Sequence, residues 1–177
     1  MRAVGIAALV AFLLCIPFAN WLIGNVGTVC VPQGPCLVPV WPGLLAPSGV
    51  LAAGAALVLR DVVQRCLGAG WGLAAIVVGS ALSALLAPSA LVVASALAFL
   101  LSEVADFAVY TPLQRRRLVL AVLLSSSVGL VIDSLVFLLL AFGSLDLLAG
   151  QLVGKAWAVL VSVPLIRVLR RVAPTPA

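Results

Sequence analysis

Long apolar stretches dominate this chain of 177 residues, of which 65% are hydrophobic and 8% are charged. Soluble domains carry about 45–50% apolar and about 25% charged residues, and a fold of this size could not hide so much apolar surface from water. A helix needs about 20 mostly apolar residues to cross a bilayer, whereas a barrel needs alternating strands, which these stretches do not show. The sequence therefore predicts an all-α integral membrane protein, a six-transmembrane-helix bundle in a single domain over 1–177, with helices roughly at 4–24, 44–63, 71–86, 91–110, 118–142 and 147–168.

Arginines occur at one set of alternate connections in this arrangement. Arg2 precedes the first predicted helix, Arg60 and Arg65 lie at the end of the second, and Arg115–Arg117 separate the fourth from the fifth. Since cytoplasmic connections are enriched in Lys and Arg, we expect both termini to be cytoplasmic and the protein to lie in the cytoplasmic (inner) cell membrane as a multi-pass protein. We expect Arg60 and Arg65 to extend towards the inner headgroups. The net charge of +5 then requires no nucleic-acid partner.

Residue types that catalysis usually needs are scarce. The chain has no histidine, which removes the usual general base near neutral pH and the commonest metal ligand. We therefore expect no enzyme, no metal site and no cofactor. Cys30 and Cys36 share the predicted outer loop, where either a disulfide or two free thiols fit the sequence, whereas Cys15 and Cys66 resemble ordinary small apolar residues.

Charged residues inside the predicted helices are the candidates for function, because a charge at the bilayer centre costs at least about 2.5–3.5 kcal/mol. Glu103 and Asp106 are three residues apart and share a helix face, which Tyr110 continues. Two carboxylates on one face repel each other, so at least one requires a shifted pKa or a cationic or hydrogen-bond-donating partner. Glu103 in particular favours a ligand, proton or coupling role.

Other polar residues leave two interpretations open. Asp133 and Lys155, in the fifth and sixth predicted helices, fit either a structural ion pair between helices or ligand contacts. Asp61 fits either a pair with a neighbouring arginine or a role of its own. Asn20, late in the first predicted helix, fits helix packing as well as binding.

Three blocks of sequence resemble one family. The most specific block is Ser-Glu-Val-Ala-Asp-Phe at 102–107, followed by the arginines at 115–117. The other blocks are 126–134 with Phe137, and 47–50 with 59–65. In their order over most of the chain, they are similar to the VUT family of vitamin uptake transporters, also called queuosine precursor transporters. Such families also look similar to the six-helix substrate-binding components of energy-coupling-factor transporters.

The resemblance implies import of a 7-deazaguanine precursor of queuosine, typically 7-cyano-7-deazaguanine (preQ0). A guanine-like edge presents an N–H and an amino group side by side, and one carboxylate can accept both. Aromatic rings stack on any flat base, whereas polar groups select one. The candidate substrate-binding residues are the carboxylates Glu103, Asp106 and Asp133, the polar side chains Asn20, Gln64 and Lys155, and the rings of Phe107, Tyr110, Trp41 and Phe137.

Two alternatives stand beside import of this precursor. The chain fits a substrate-binding membrane component for another vitamin or flat heterocycle, which would need an external energy-coupling ATPase. It also fits a structural membrane subunit. The expected partners are a deazapurine substrate and the lipid bilayer, with a homo-oligomer or an ATPase partner left open. Proton-coupled, facilitated and ATP-driven uptake all remain compatible with the sequence.

Overall fold

A computed structural model describes residues 2–31, 34–87 and 89–172, and these residues are mostly helical. Six α-helices account for most of them: α1 (Arg2–Asn25), α2 (Val50–Leu67), α3 (Ala69–Leu86), α4 (Val92–Leu113), α5 (Leu118–Phe142) and α6 (Leu148–Val172). Two helices end at a glycine that adopts positive φ, a conformation that glycine allows at the ends of helices. Gly68, with φ of 100°, alone separates α2 from α3, and Gly143, with φ of 64°, ends α5.

A small antiparallel sheet, which an all-α fold does not include, lies between α1 and α2. Its strands are β1 (Val29–Cys30), β2 (Cys36–Trp41) and β3 (Leu44–Pro47), in the order β1-β2-β3. Val38 lies opposite Ala46, and Cys30 lies opposite Cys36, to which it is joined by a disulfide. The disulfide resolves the alternative that the sequence left open. Cys15 and Cys66 are free thiols.

The predicted start of the second helix at residue 44 is wrong. Leu44–Pro47 forms β3, and the helix begins only at Val50. Hydropathy cannot separate the two elements because both are apolar, but Pro47 lacks a backbone donor and Gly49 favours a turn. The strand satisfies its backbone groups by pairing with β2 instead of by helical hydrogen bonds.

The central helix of the bundle is α2, which packs against α1, α3, α4, α5 and α6. Most of its side chains are buried, including the charged residues Arg60, Asp61 and Arg65. The outer helices instead expose apolar side chains, such as Ile6, Val10 and Leu14 along one face of α1. A helix that is surrounded by other helices can carry charges that lipid would not tolerate.

Five of the described helices are long and apolar enough to cross a membrane, namely α1, α3, α4, α5 and α6. The protein is therefore a multi-pass membrane protein with a helical bundle. The three charges of α2 keep it outside this set, although its 18 residues match the length of α3. Whether α2 also spans the bilayer, and which side holds the termini, stays a prediction.

The two ends of the bundle differ in composition. One end, here called the sheet end, carries the three strands and the α5–α6 connection, which packs near the end of α1 through Ile23 and Leu147. The opposite end, here called the arginine end, carries Arg2, Arg65 and Arg115–Arg117. The arrangement of the helices thus separates an apolar, disulfide-linked end from a basic one.

A close approach of α2 and α6 depends on Gly54. A Cβ atom at this position would lie 2.7 Å from the Lys155 carbonyl oxygen and 2.9 Å from the Ala158 Cβ atom. We expect Gly54→Ala to lower the free energy of unfolding by about 1–3 kcal/mol, because the two helices must move apart. Gly70→Ala is the matched control, since nothing lies within 4 Å of its added Cβ. Equal thermal unfolding midpoints for the two variants in detergent would contradict this packing.

Candidate functional site

Arg60 lies at the centre of the bundle, fully buried on α2. The expectation that it extends to the inner headgroups is therefore wrong. The helix continues to Leu67, so Arg60 is about two turns, or about 10 Å, from its end and cannot reach the interface along its own axis. Arg65 is also buried, and its Nη1 donates to the Gln114 carbonyl oxygen at 3.3 Å. Both arginines thus serve contacts within the protein.

Carboxylates of two helices surround the Arg60 guanidinium. Its Nε donates to Glu103 Oε2 at 2.9 Å, and its Nη2 donates to Asp106 Oδ1. Its Nη1 donates to Gln64 Oε1 and lies 2.9 Å from Asp61 Oδ1. We call Arg60, Asp61, Gln64, Glu103 and Asp106 the Arg60 cluster. Glu103 and Asp106 therefore do have a cationic partner, as their spacing predicted, and Asp61 does pair with an arginine.

Neighbouring side chains enclose the Arg60 cluster. The rings of Phe107 and Tyr110 each lie 5.7 Å from Arg60 Cζ, which is a favourable cation–π distance. Ser125 of α5 donates to Asp61 Oδ2 at 3.2 Å, and Gln64 donates to Thr111 at 2.9 Å. These contacts join α2, α4 and α5 through one buried cation.

A second cluster forms around Lys155 on α6, which is 2% exposed. The ammonium Nζ donates to Asp133 Oδ2 at 2.5 Å, to Ser134 Oγ at 2.8 Å and to Gln151 Oε1 at 2.6 Å. The ion pair between Asp133 and Lys155, one of the two interpretations of these residues, is thus present. The side chain of Asp133 is nevertheless 20% exposed, so this carboxylate is not sealed by its partner.

A cavity between the helices exposes this second cluster. Its volume, counted for the centres of water-sized spheres, is about 90 Å³, and we call it the central cavity. Five helices contribute polar side chains to the lining of the cavity. The aromatic side chains in the lining are Phe99 and Phe137. The polar side chains are Asn20, Ser83, Ser95, Asp133, Gln151 and Lys155, and small residues such as Ala53, Ala56 and Ala98 line the rest. Ligand sites in helical bundles take this form, with few polar groups in an apolar cavity.

The structure divides the predicted site residues into two groups. Asp133, Lys155 and Asn20 line the central cavity together with Phe137. Glu103, Asp106, Gln64, Phe107 and Tyr110 instead surround Arg60. Trp41 lies with neither group, because it is 55% exposed on β2 and stacks on Trp157 with ring centroids 6.1 Å apart.

Two residues that matter to this arrangement, Phe99 and Arg60, were not among the candidate substrate-binding residues. Phe99 lines the cavity one turn before Glu103, but a phenylalanine in an apolar helix carries no signal of its own. Arg60 was treated as a headgroup anchor because the helix was predicted to end at residue 63. Its spacing of four from Gln64, which places both on one helix face, was the available signal.

The two clusters lie at different depths in the bundle. Lys155 is about 10 Å from the start of α6 at the sheet end, at a rise of 1.5 Å per residue. Arg60 is about 15 Å from the start of α2 at that end. The central cavity therefore lies nearer the sheet end, and the Arg60 cluster lies between it and the arginine end.

Comparison with known proteins gives the family of this chain. Residues 49–177 match the family model described as "Putative vitamin uptake transporter". The chain belongs to this family. The match to the VUT family spans α2 to α6, and so includes the Arg60 cluster and the Lys155 contacts, but not α1 with Asn20. No match was found among curated proteins or among solved structures. Membership of the VUT family indicates a membrane transporter of the vitamin-uptake type.

Proposed function

We propose that this VUT-family protein imports a 7-deazaguanine precursor of queuosine, typically 7-cyano-7-deazaguanine, and binds it in the central cavity. The observation that carries the proposal is the partly exposed Asp133 carboxylate, which lies in a cavity that also holds amide groups and two aromatic rings. A flat heterocycle with two adjacent donors, several acceptors and a face for stacking fits this set of groups.

The chemistry assigns a role to each part of the cavity. Asp133 accepts the ring N–H and the exocyclic amino group of the deazaguanine, because a carboxylate fits two parallel donors. The amides of Asn20 and Gln151 bind the carbonyl and ring nitrogens, since an amide both donates and accepts. Phe99 and Phe137 stack on the ring. Of the three candidate carboxylates, we assign Asp133 to the substrate, because it lines the central cavity and is 20% exposed, whereas Glu103 and Asp106 are buried against Arg60.

The proposal includes six membrane spans, with both termini in the cytoplasm. Burial of its three charges supports counting α2 among the six spans, because these charges contact other helices instead of lipid. The arginine end then faces the cytoplasm and the sheet end faces outwards, as the enrichment of arginine in cytoplasmic connections favours. The Cys30–Cys36 disulfide lies at the sheet end, on the side where oxidising conditions allow it.

Uptake by cells tests the proposal. Cells that cannot synthesise 7-deazaguanines, expressing this protein in dilute 7-cyano-7-deazaguanine, should make queuosine in their tRNA, whereas cells with an empty vector should not. Failure despite normal protein levels in the membrane would contradict import of this substrate. Binding in detergent with no uptake into liposomes would instead favour a substrate-binding component that requires an ATPase.

A further inference from the structure

The charges inside the bundle do not balance. Among the described side chains, four carboxyl groups and three basic groups lie inside it: Asp61, Glu103, Asp106 and Asp133, with Arg60, Arg65 and Lys155. The other described charged residues, such as Arg2, Arg116 and Asp146, are exposed. With every inner group ionised, the interior would hold one excess negative charge. An uncompensated buried charge is costly, so one proton must be retained among these carboxyl groups.

The contacts of Asp61 and Asp106 show where this proton belongs. Both carboxyl groups contact the same guanidinium, Asp61 at Arg60 Nη1 and Asp106 at Arg60 Nη2, so the two acids lie side by side. Among the described residues no donor forms a hydrogen bond with Asp106 Oδ2 or Asp61 Oδ1, although both atoms are buried and Arg60 Nη1 lies 2.9 Å from Asp61 Oδ1. Two ionised carboxylates only accept hydrogen bonds, so this pair can bond only when one of them carries a proton.

The groups that face this pair come from three helices. Arg60 of α2 binds both acids, Glu103 and Tyr110 of α4 lie beside Arg60, and Ser125 of α5 donates to Asp61. Arg65 of α2 donates towards Gln114, and Lys155 of α6 binds Asp133. The buried Arg60 and Arg65 together offset two of the three carboxylates Asp61, Glu103 and Asp106, which leaves one proton to be retained beside Arg60.

We propose that the Asp61–Asp106 pair is a proton-binding site that couples substrate import to proton entry, an inference that rests on the proposed function. In each cycle the pair takes one proton from the sheet end and releases it at the arginine end, with no other chemical change. The position of the pair fits this role because it lies between the cavity and the arginine end. The cavity and the Arg60 cluster also share two helices. On α2, Ala56 lines the cavity one turn before Arg60, and on α4, Phe99 lines it one turn before Glu103.

A measurement without substrate tests the proton site itself. The infrared spectrum of the purified protein at neutral pH should contain the carbonyl stretching band of a buried, protonated carboxylic acid. Asp61→Asn and Asp106→Asn should each remove the band, because the remaining acid ionises beside Arg60. Asp146→Asn, at an exposed carboxylate, should retain it. Absence of the band from the wild-type protein, or its persistence in both cluster variants, would overturn the proposal.

Transport in liposomes tests the coupling. With 7-cyano-7-deazaguanine outside and an outer pH one unit below the inner pH, one proton per substrate predicts accumulation of up to about tenfold. Asp106→Asn and Asp61→Asn should bind and exchange substrate without accumulating it, since asparagine resembles the protonated acid. The coupling would be overturned if wild-type accumulation of substrate did not depend on the pH gradient. It would also be overturned if both variants accumulated as much substrate as the wild type. If the wild type binds no deazaguanine, the proposed function fails, and the infrared band still decides the proton site.

Discussion

Replacing Arg60 with methionine should lower the free energy of unfolding by about 3–5 kcal/mol, the cost of leaving buried charges without their partner. Arg60 contacts three carboxyl groups of α2 and α4, and its side chain is 0% exposed. Methionine fills much of the volume but donates no hydrogen bond, so the acids would be left facing one another. The helices α2 and α4 would then repel each other where the wild type holds them together. Reversible unfolding in mixed detergent micelles measures the loss.

The control for this variant is Arg116→Met, at an exposed arginine between α4 and α5. It should change the free energy of unfolding by no more than about 0.5 kcal/mol. Adding Asp106→Asn to Arg60→Met should recover part of the stability, because it removes one of the unpaired charges. Equal stability of the Arg60 and Arg116 variants would show that the guanidinium is not the centre of the inner contacts.

Asp133→Asn should weaken binding of 7-cyano-7-deazaguanine by about tenfold to hundredfold. Hydrogen bonds to a charged group contribute about 1.5–3 kcal/mol, and each 1.4 kcal/mol is a factor of ten in affinity. Loss of the charge opposite Lys155 should lower the stability, but the fold should survive, because asparagine still accepts from Lys155, and Gln151 and Ser134 hold the ammonium as well. The dissociation constant from calorimetry and the thermal unfolding midpoint together separate a binding defect from a folding defect.

Asp146→Asn provides the comparison for this prediction. Asp146 is an exposed carboxylate in the α5–α6 connection, where it accepts from Ser144. Its variant should bind the deazaguanine with the affinity of the wild type. Unchanged affinity in Asp133→Asn as well would remove this carboxylate from the substrate site.

The sequence could predict most of the helices but not the sheet. The apolar stretches correspond to α1 and α3–α6, because lipid requires long uncharged helices and the backbone must bond within them. The strands are too short for periodicity to separate them from a helix. Leu44–Pro47 pairs with β2 across the Pro42–Gly43 turn, a local turn signal that a count of apolar residues overlooks.

The charged residues of the candidate site could be predicted from the sequence, but their arrangement could not. Buried charges are costly, so their presence in apolar stretches identified Glu103, Asp106, Asp133 and Lys155. The division of these residues into two clusters was not visible, because it depends on how α2 packs among the other helices. An error of four residues at the end of α2 moved Arg60 from the centre of the bundle to its edge.

The most direct test of the central claim is a structure of the protein with 7-cyano-7-deazaguanine bound. We expect the ring in the central cavity, with its N–H and amino group on the Asp133 carboxylate and its face against Phe99 or Phe137. Density for the ligand on the Arg60 cluster, at the surface, or nowhere at saturating concentration would contradict the assignment of this cavity to the substrate.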